Sequence, residues 1–289
     1  MMLAVINRAA GGGRCGREAD ATLARLGIDV ERATTEGPGH ARVLAREAYG
    51  RGVRRFLAVG GDGTAHEVLN GLFPCDERVT LGFLPLGTGN SFLRDFSSEG
   101  LSHGIECIRS GRTRPCDVMR LEHSGGLLHS INLICLGFPA DVAAVTNRRF
   151  KRFGTLGYLL GVVACLARLP RRTFPLVADG VAEADRCLFL GFNNSRFTGG
   201  KMQIAPLAQT DDGLIEYLHF GPIGRLALLW NLRRLFDGSL VNLRWARRRG
   251  VRDVRFEGER PADLMIDGEV LHTVPRALRI LPGALDVLA

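Results

Sequence analysis

Two short glycine-rich strings have residue types and spacing suited to holding an anion. Gly60-Gly61-Asp62-Gly63-Thr64 follows the apolar run Phe56-Leu57-Ala58-Val59, and Gly87-Thr88-Gly89-Asn90-Ser91 follows Thr80-Leu81-Gly82-Phe83-Leu84-Pro85-Leu86. Each apolar run reads as a buried strand. Beyond the first string, Ala65, Val68, Leu69, Leu72 and Phe73 recur at helical spacing, so one helix face is apolar. The glycines then lie in a strand-to-helix turn, where backbone N–H groups gather at the positive end of a helix without Cβ atoms in the way. Phosphate oxygens bind at such turns. Two of them on neighbouring parallel strands can grip one nucleotide from two sides. Glycine-rich turns also occur where nothing binds, so spacing alone names no ligand.

Other chemistries find little support. Asp212-Gly213 before a strand reads as a turn, and Asp267-Gly268 between alternating apolar residues as a hairpin tip. The seven histidines (His40, His66, His103, His123, His129, His219 and His272) form no His-Glu-x-x-His pair, and each is taken as structural. No cysteine and histidine cluster has zinc spacing, and there is neither a Gly-x-Ser-x-Gly elbow nor a Walker-type Gly-Lys-Ser/Thr.

The elements that must position these strings alternate strand and helix. Leu3 to Ile6 reads as a strand, Glu18 to Leu26 as a helix, Ile28 to Ala33 as a strand and His40 to Tyr49 as a helix. With the two glycine strings and a helix near Leu101 to Arg109, this predicts an α/β unit over 1–121 with a parallel, Rossmann-like sheet and ligands at the carboxyl ends of its strands. From Arg114 the pattern changes. Pro115 to Leu121, the Ser124-Gly125-Gly126 turn and Leu127 to Leu136 read as a hairpin. Short strands recur at 186–193, 214–220, 253–257, 262–266 and 277–281. An antiparallel β-sandwich over 122–289 is expected, with the option that its last residues return to the first unit, and with the active site in the cleft between the two.

At 289 residues, two domains are the expectation, and 46% hydrophobic residues suffice for two cores. A net charge of +8 suits an anionic partner. The seven cysteines are scattered and odd in number, which suits reduced, buried thiols in the cytoplasm. Two segments interrupt the strands. Leu156 to Leu169 is nearly uncharged and flanked by Arg148, Arg149, Lys151 and Arg152 before it and Arg168, Arg171 and Arg172 at its end. A buried connecting helix is the preferred reading, and an interfacial helix on anionic lipid the other. Arg225 to Arg249 carries apolar helical stretches with Trp230, Trp245 and Arg247-Arg248-Arg249, which suit a membrane surface or nucleic acid equally.

Gly60 to Thr64 with Glu67, Val68, Asn70, Gly71 and Leu72 after it resembles the nucleotide loop of the diacylglycerol kinase catalytic family, and its Gly-Gly-Asp-Gly core is shared with NAD kinases. Pro85 to Asn90 resembles the second motif of that family. The usual aspartate after it is replaced by Ser91, with Asp95 a candidate to compensate. Asn7 to Arg14 matches a family loop in part, Arg8 standing where proline is usual, and Asn193 to Pro206 resembles the segment lining the cleft. The resemblance implies an ATP- and Mg2+-dependent lipid kinase acting on a diacylglycerol-like or sphingoid-like hydroxyl. It implies nucleotide contacts from Thr34, Gly60, Gly61, Asp62, Gly63, Thr64, Glu67, Gly87, Thr88 and Asn90. Magnesium would fall to the Asp212 carboxylate with carbonyls at Gln209 and Leu214, and the general base would be Asp267 in Met265-Ile266-Asp267-Gly268-Glu269. Expected partners are ATP and a lipid at the membrane surface, with a homodimer among the options and nucleic acid not among them. The expected location is cytoplasmic, on the inner membrane face. Two rival readings are an NAD kinase acting on a soluble acceptor and a catalytically silent sensor of nucleotide or anionic lipid.

Overall fold

The computed structural model describes the whole chain except residues 74–76, 97–99 and 151–153. Its first portion runs β1 (Met2–Ile6), α1 (Arg14–Ala24), β2 (Glu31–Thr34), α2 (His40–Gly50), β3 (Arg55–Gly60), α3 (Asp62–Leu72), β4 (Thr80–Pro85) and α4 (Leu101–Ser110). The strands pair in the order β2-β1-β3-β4, all parallel. Side chains alternate between faces along each strand. Leu3, Val5, Phe56, Ala58, Leu81 and Phe83 therefore pack with α2 and α3, while Met2, Ala4, Ile6, Leu57, Val59 and Leu84 pack with α1 and α4. Helices on both faces explain why β1, β3 and β4 read as unbroken apolar runs instead of alternating ones.

The rest comprises β5 (Thr113–His123), β6 (Gly126–Ser130), β7 (Leu133–Gly137), α5 (Phe138–Val145), α6 (Gly154–Arg168), β8 (Arg172–Thr173), β9 (Leu176–Ala178), β10 (Val181–Glu183), β11 (Arg186–Cys187), β12 (Phe189–Asn193), β13 (Phe197–Thr198) and β14 (Met202–Gln203). These are followed by β15 (Ile215–Phe220), α7 (Arg225–Asn231), α8 (Arg234–Asp237), β16 (Ala246–Val251), β17 (Asp253–Phe256), β18 (Ala262–Ile266), β19 (Glu269–Thr273) and β20 (Pro275–Leu288). They form an antiparallel β-sandwich. One sheet is β16-β15-β12-β7-β18-β19. The other runs β10-β9-β17-β20-β5-β6. Between them Phe192 stacks on Tyr217 and meets Phe256 edge-on, among Met119, Leu121, Ile134, Leu264 and Leu278. The other face of the first sheet is covered by α5, α6 and α7.

β20 belongs to both halves. Its register against β5 shifts between Leu281 and Leu285, and past that bulge Asp286 and Val287 pair in parallel with Thr80 and Leu81 of β4. A bulge bends a strand and increases its twist. The parallel sheet and one sandwich sheet are thereby a single surface.

Three expectations need correction. Leu127 to Leu136 is two strands, β6 and β7, that belong to different sheets and break at Ile131-Asn132. The Arg247-Arg248-Arg249 run, read as suiting a membrane surface or nucleic acid, is engaged with acids of the chain itself. It lies on edge strand β16, paired with Asp185, Glu216 and Glu183. Lastly α6 is neither wholly buried nor wholly open: Val162 and Cys165 are buried against α5 while Val163 is exposed. Lys151 and Arg152, expected before it, lie outside the described residues, as does Cys75. The other six cysteines are free and buried. Among the described residues, no helix is long and apolar enough to cross a membrane.

Candidate active site

The two glycine strings meet backbone to backbone. Gly87 N donates to Gly60 O at 2.7 Å, and a Cβ on Gly87 would lie 2.8 Å from Gly61 N. Gly61 is the N-cap of α3, no side chain caps that helix, and Thr64 N donates to Gly61 O, so the Asp62 and Gly63 N–H groups keep their capacity for an anion. Asp62, Gly63 and Thr64 form the first helical turn. The Asp62 carboxylate accepts from Ser91 N at 2.8 and 3.0 Å and so ties the second string to the first. Burial pushes its pKa up, against the pull of the Ser91 and Phe92 amides. Asn90, at φ 51, donates through Nδ2 to Gly87 O, and Arg14 donates to Pro85 O and Gly87 O from below. The Thr64 hydroxyl accepts from Asn7 Nδ2 at 3.2 Å.

The other residues expected around a nucleotide are less closely grouped. Thr34 is exposed at the carboxyl end of β2, with β1 between it and β3. Glu67 spends both carboxylate oxygens on Gly39 N and Ala41 N at the start of α2. It stabilises the positive end of that helix, which no side chain of α2 itself caps.

Across from α3 stands the tip of the β18-β19 hairpin. Asp267 and Gly268 both have positive φ, 49 and 96, which is the two-residue turn that follows strand twist and favours Asp-Gly. Asp267 is buried at 6% exposure. Its Oδ1 accepts from Ser130 Oγ at 2.6 Å and from Asn132 N and Leu133 N at 3.1 Å each. These donors come from the last residue of β6, the break after it and the first residue of β7, so three positions around one turn serve a single carboxylate. Oδ2 lies 2.9 Å from His66 Nδ1. His66 follows Asp62 by four residues on the same face of α3. Burial alone would lower the His66 pKa, but the hydrogen bond to Asp267 and its charge, with Glu269 and Glu67 behind, raise it on balance.

A group whose folded pKa is raised stabilises the fold fully below its unfolded pKa, and that contribution is lost as pH climbs through the folded value. The stability advantage of the native protein over His66→Asn is therefore expected to be constant below about pH 6.5 and to shrink above it. Urea denaturation from pH 5.5 to 9 reads this directly, and a gap independent of pH would refute the pairing.

A buried polar joint links the halves. Asn194 N and Ser195 N donate to Asn132 O, and Asn194 Nδ2 donates to Asp117 O and Ile131 O at 2.9 Å each. Ser195 Oγ and Arg196 Nε donate to the Asp95 carboxylate, which is 5% exposed. Gly200 N donates to Ser91 Oγ at 2.9 Å. Asp95 is thus committed to Ser195 and Arg196 and does not stand in for a carboxylate at position 91. Asp95→Ala would leave the buried Ser195 hydroxyl unpaired beside a half-exposed Arg196. Allowing for solvent at Arg196, the expected loss is about 2 kcal/mol, to be read by urea denaturation; a change under about 0.5 kcal/mol, the ordinary surface range, would sink the joint.

Near the second Asp-Gly pair, Asp117 is buried, and its oxygens accept from Gly213 N at 2.6 Å and Gly283 N at 2.7 Å. Burial raises its pKa, and the charges of Asp212 and Asp211 add to this. Asp212 Oδ1 accepts from Leu214 N at 2.9 Å. Asp117 thus clips the 210–213 turn against the β20 bulge. Sequence reasoning passed over Asp117, His66 and Ser130. The visible signals were an acid inside an apolar strand and a histidine one helical turn after Asp62.

The pattern of the diacylglycerol kinase catalytic domain matches residues 1–121, and that of the YegS C-terminal NAD kinase beta sandwich-like domain matches residues 132–289, more than half of the chain. The chain belongs to the diacylglycerol kinase family of lipid kinases. A diacylglycerol kinase of Mycobacterium tuberculosis is 29% identical to this kinase over 99% of this chain and 94% of its own. A Chromohalobacter salexigens protein named probable lipid kinase YegS-like is 34% identical, covering 89% and 83%. In fold, the kinase superposes on a Bacillus anthracis structure titled as a diacylglycerol kinase with a TM-score of 0.74 at 22% identity, covering 99% and 96%. An NAD kinase from Archaeoglobus fulgidus, solved in complex with ATP, superposes at 0.51 with 13% identity, covering 100% and 94%. The family implies magnesium, and the charge near Asp212 suits a hard cation: Asp212 accepts a hydrogen bond at Oδ1, and Asp117 and Asp211 add negative charge beside it. Among the described residues, no three acidic, histidine or cysteine side chains gather as a cage. A cation at this place in the kinase would take much of its coordination from carbonyls and water.

Proposed function

We propose that this kinase moves the γ-phosphoryl group of ATP, with Mg2+, to the hydroxyl of a diacylglycerol-like or sphingoid-like lipid, with Asp267 as general base. Residues 1–121 would hold the nucleotide and residues 122–289 the acceptor. The observation that carries the reading is the Asp267 carboxylate, buried on a hairpin tip of the sandwich and bonded across to the helix that begins in the first glycine string. Oδ1 already serves three donors, so proton acceptance falls to Oδ2, which retains a lone pair beside His66. The three donors fix the carboxylate plane, and His66 is the positioning residue. Phosphoryl transfer asks little covalent chemistry of a protein; it needs the donor phosphates held, charge offset, and the hydroxyl oriented toward a base. The Asp62 and Gly63 amides at the start of α3, with the Gly87 string, would hold the phosphates. Magnesium, when bound, supplies charge neutralisation at the transferred group. Ser91 is neutral here, with its N–H on Asp62 and its hydroxyl accepting from Gly200, so it joins the halves without adding charge. The chemistry would take place at the cytoplasmic face of the membrane, where such acceptors reside.

The test is transfer of labelled γ-phosphate from ATP and Mg2+ into a total lipid extract. Label in a discrete lipid band is expected. No label across a broad lipid set, from protein that binds ATP, would overturn the lipid acceptor, and NADP formation from NAD would replace it with the soluble one.

A further inference from the structure

Residues 221–245, which connect β15 to β16, carry α7 and α8 on the outside of the sandwich. Leu228 faces the core, whereas Leu226, Leu229 and Trp230, spaced i, i+3 and i+4, are 83%, 55% and 76% exposed. Phe236 on α8, a few residues further along the same connection, is 61% exposed. An exposed face holding this many large apolar side chains marks an interaction site. Arg225, Arg233 and Arg244 lie in the same segment, all exposed, and none has a carboxylate partner among the described residues. The contrast with Arg247, Arg248 and Arg249, each paired to an acid, is local. The one acid in the segment, Asp237, accepts from Ser239 N.

The surface adjoins the site. Gln203 Nε2 reaches Phe236 O, and Gly238 packs against Pro206, so α8 rests on the hairpin β13-β14. That hairpin follows the joint at Ser195 and Arg196, and Gly200 within it bonds to Ser91 at the second glycine string. Leu207, 54% exposed, lies next in the chain.

We infer that the α7–α8 face is a docking surface for an anionic bilayer, with Leu226, Leu229, Trp230 and Phe236 entering the acyl boundary and Arg225, Arg233 and Arg244 lying at the headgroups. Charge selects this occupant. A second copy of the chain would bring the same arginines together across a two-fold axis, while an anionic headgroup layer meets them with opposite charge. Tryptophan beside arginine at the edge of an apolar face is the composition of interfacial anchors. The inference deepens the lipid-kinase reading and rests on it for its purpose, since an acceptor drawn from a bilayer must reach a cleft held against that bilayer.

The experiment is sedimentation of the full chain, without nucleotide, with vesicles of phosphatidylcholine alone and with added phosphatidylglycerol. The native protein is expected to pellet with the anionic vesicles and less so at high salt. Leu226→Glu/Trp230→Glu should reduce partitioning at least roughly thirtyfold, and Arg225→Gln/Arg233→Gln/Arg244→Gln should abolish the preference for phosphatidylglycerol. These positions are exposed, and an unchanged melting curve would establish that both variants fold. Native pelleting that survives the double substitution would overturn the inference. So would a native dimer that the double variant splits, because the face would then be a contact between copies. Failure of the kinase reading would show differently: patch-dependent pelleting with no label in any lipid. If the docking surface fails while the kinase stands, lipid is labelled and pelleting ignores the patch.

Discussion

Asp267→Asn is expected to lower phosphoryl transfer by roughly 10³-fold, within the range that loss of a positioned acid–base group produces. The substitution suits the site because it keeps shape. The amide oxygen can still accept from Ser130 Oγ, Asn132 N and Leu133 N, and the amide nitrogen can donate to a neutral His66 Nδ1. The hairpin tip, whose positive φ asparagine tolerates as readily as aspartate, keeps its turn. The loss should therefore fall on kcat, with the KM for ATP within about threefold of native, the pattern of an interaction made only in the transition state. Activity within threefold of native would remove Asp267 from the chemistry and return it to a structural turn. The same variant should also erase the pH-dependent part of the stability contributed by His66, which is readable without any substrate.

Gly87→Ala is expected to abolish measurable ATP binding, a loss of at least about 100-fold, because the added methyl meets backbone. Its Cβ would sit 2.8 Å from Gly61 N, and a real Cβ essentially never approaches a heavy atom so closely. Neither partner is the end of a flexible side chain. The two strings must separate, which breaks the Gly87 N to Gly60 O bond and moves Ser91 N off Asp62. Gly63→Ala is the contrasting variant: its Cβ would meet only Glu269 Oε1 at 3.4 Å, an ordinary contact at the end of a movable side chain. Calorimetric titration with ATP and Mg2+ should find Gly63→Ala folded and Gly87→Ala without binding. Native-like affinity in Gly87→Ala would show that the close approach of the two strings is not what makes the cradle.

Much of the architecture was legible because its causes are local. Strands buried on both sides appear as unbroken apolar runs, a helix with one buried face shows its 3.6-residue period, and Gly-Gly-Asp-Gly marks the join. Family membership followed from the same strings, each confined to a few consecutive residues. Where the reading slipped, the deciding interaction was distant. Leu127 to Leu136 looks like one strand because every residue suits a strand. Only the partner sheets, β5 on one side and β12 and β18 on the other, divide it at Ile131-Asn132. The arginine run 247–249 next to an apolar segment reads as an anionic-partner site until Asp185, Glu216 and Glu183 arrive from other strands to pair it.

By itself the sequence determined the alternation of strand and helix in the first unit, the two fold classes, the glycine turns and the family, since each depends on backbone conformation and side-chain period over short spans. Tertiary structure alone decided what surrounds the acids. Asp267 gathers Ser130, Asn132, Leu133 and His66 from positions 134 to 201 residues away. Asp117 finds Gly213 and Gly283, and Asp95 finds Ser195 and Arg196. Burial and hydrogen-bond partners set the chemistry of a carboxylate, and both are properties of strand register and of how the sandwich meets the parallel sheet. The outward face of α7 obeys the same logic. Its apolar stretch is plain in the sequence, but which side the protein covers is settled only when Leu228 enters the core and Leu226, Leu229 and Trp230 are left outside.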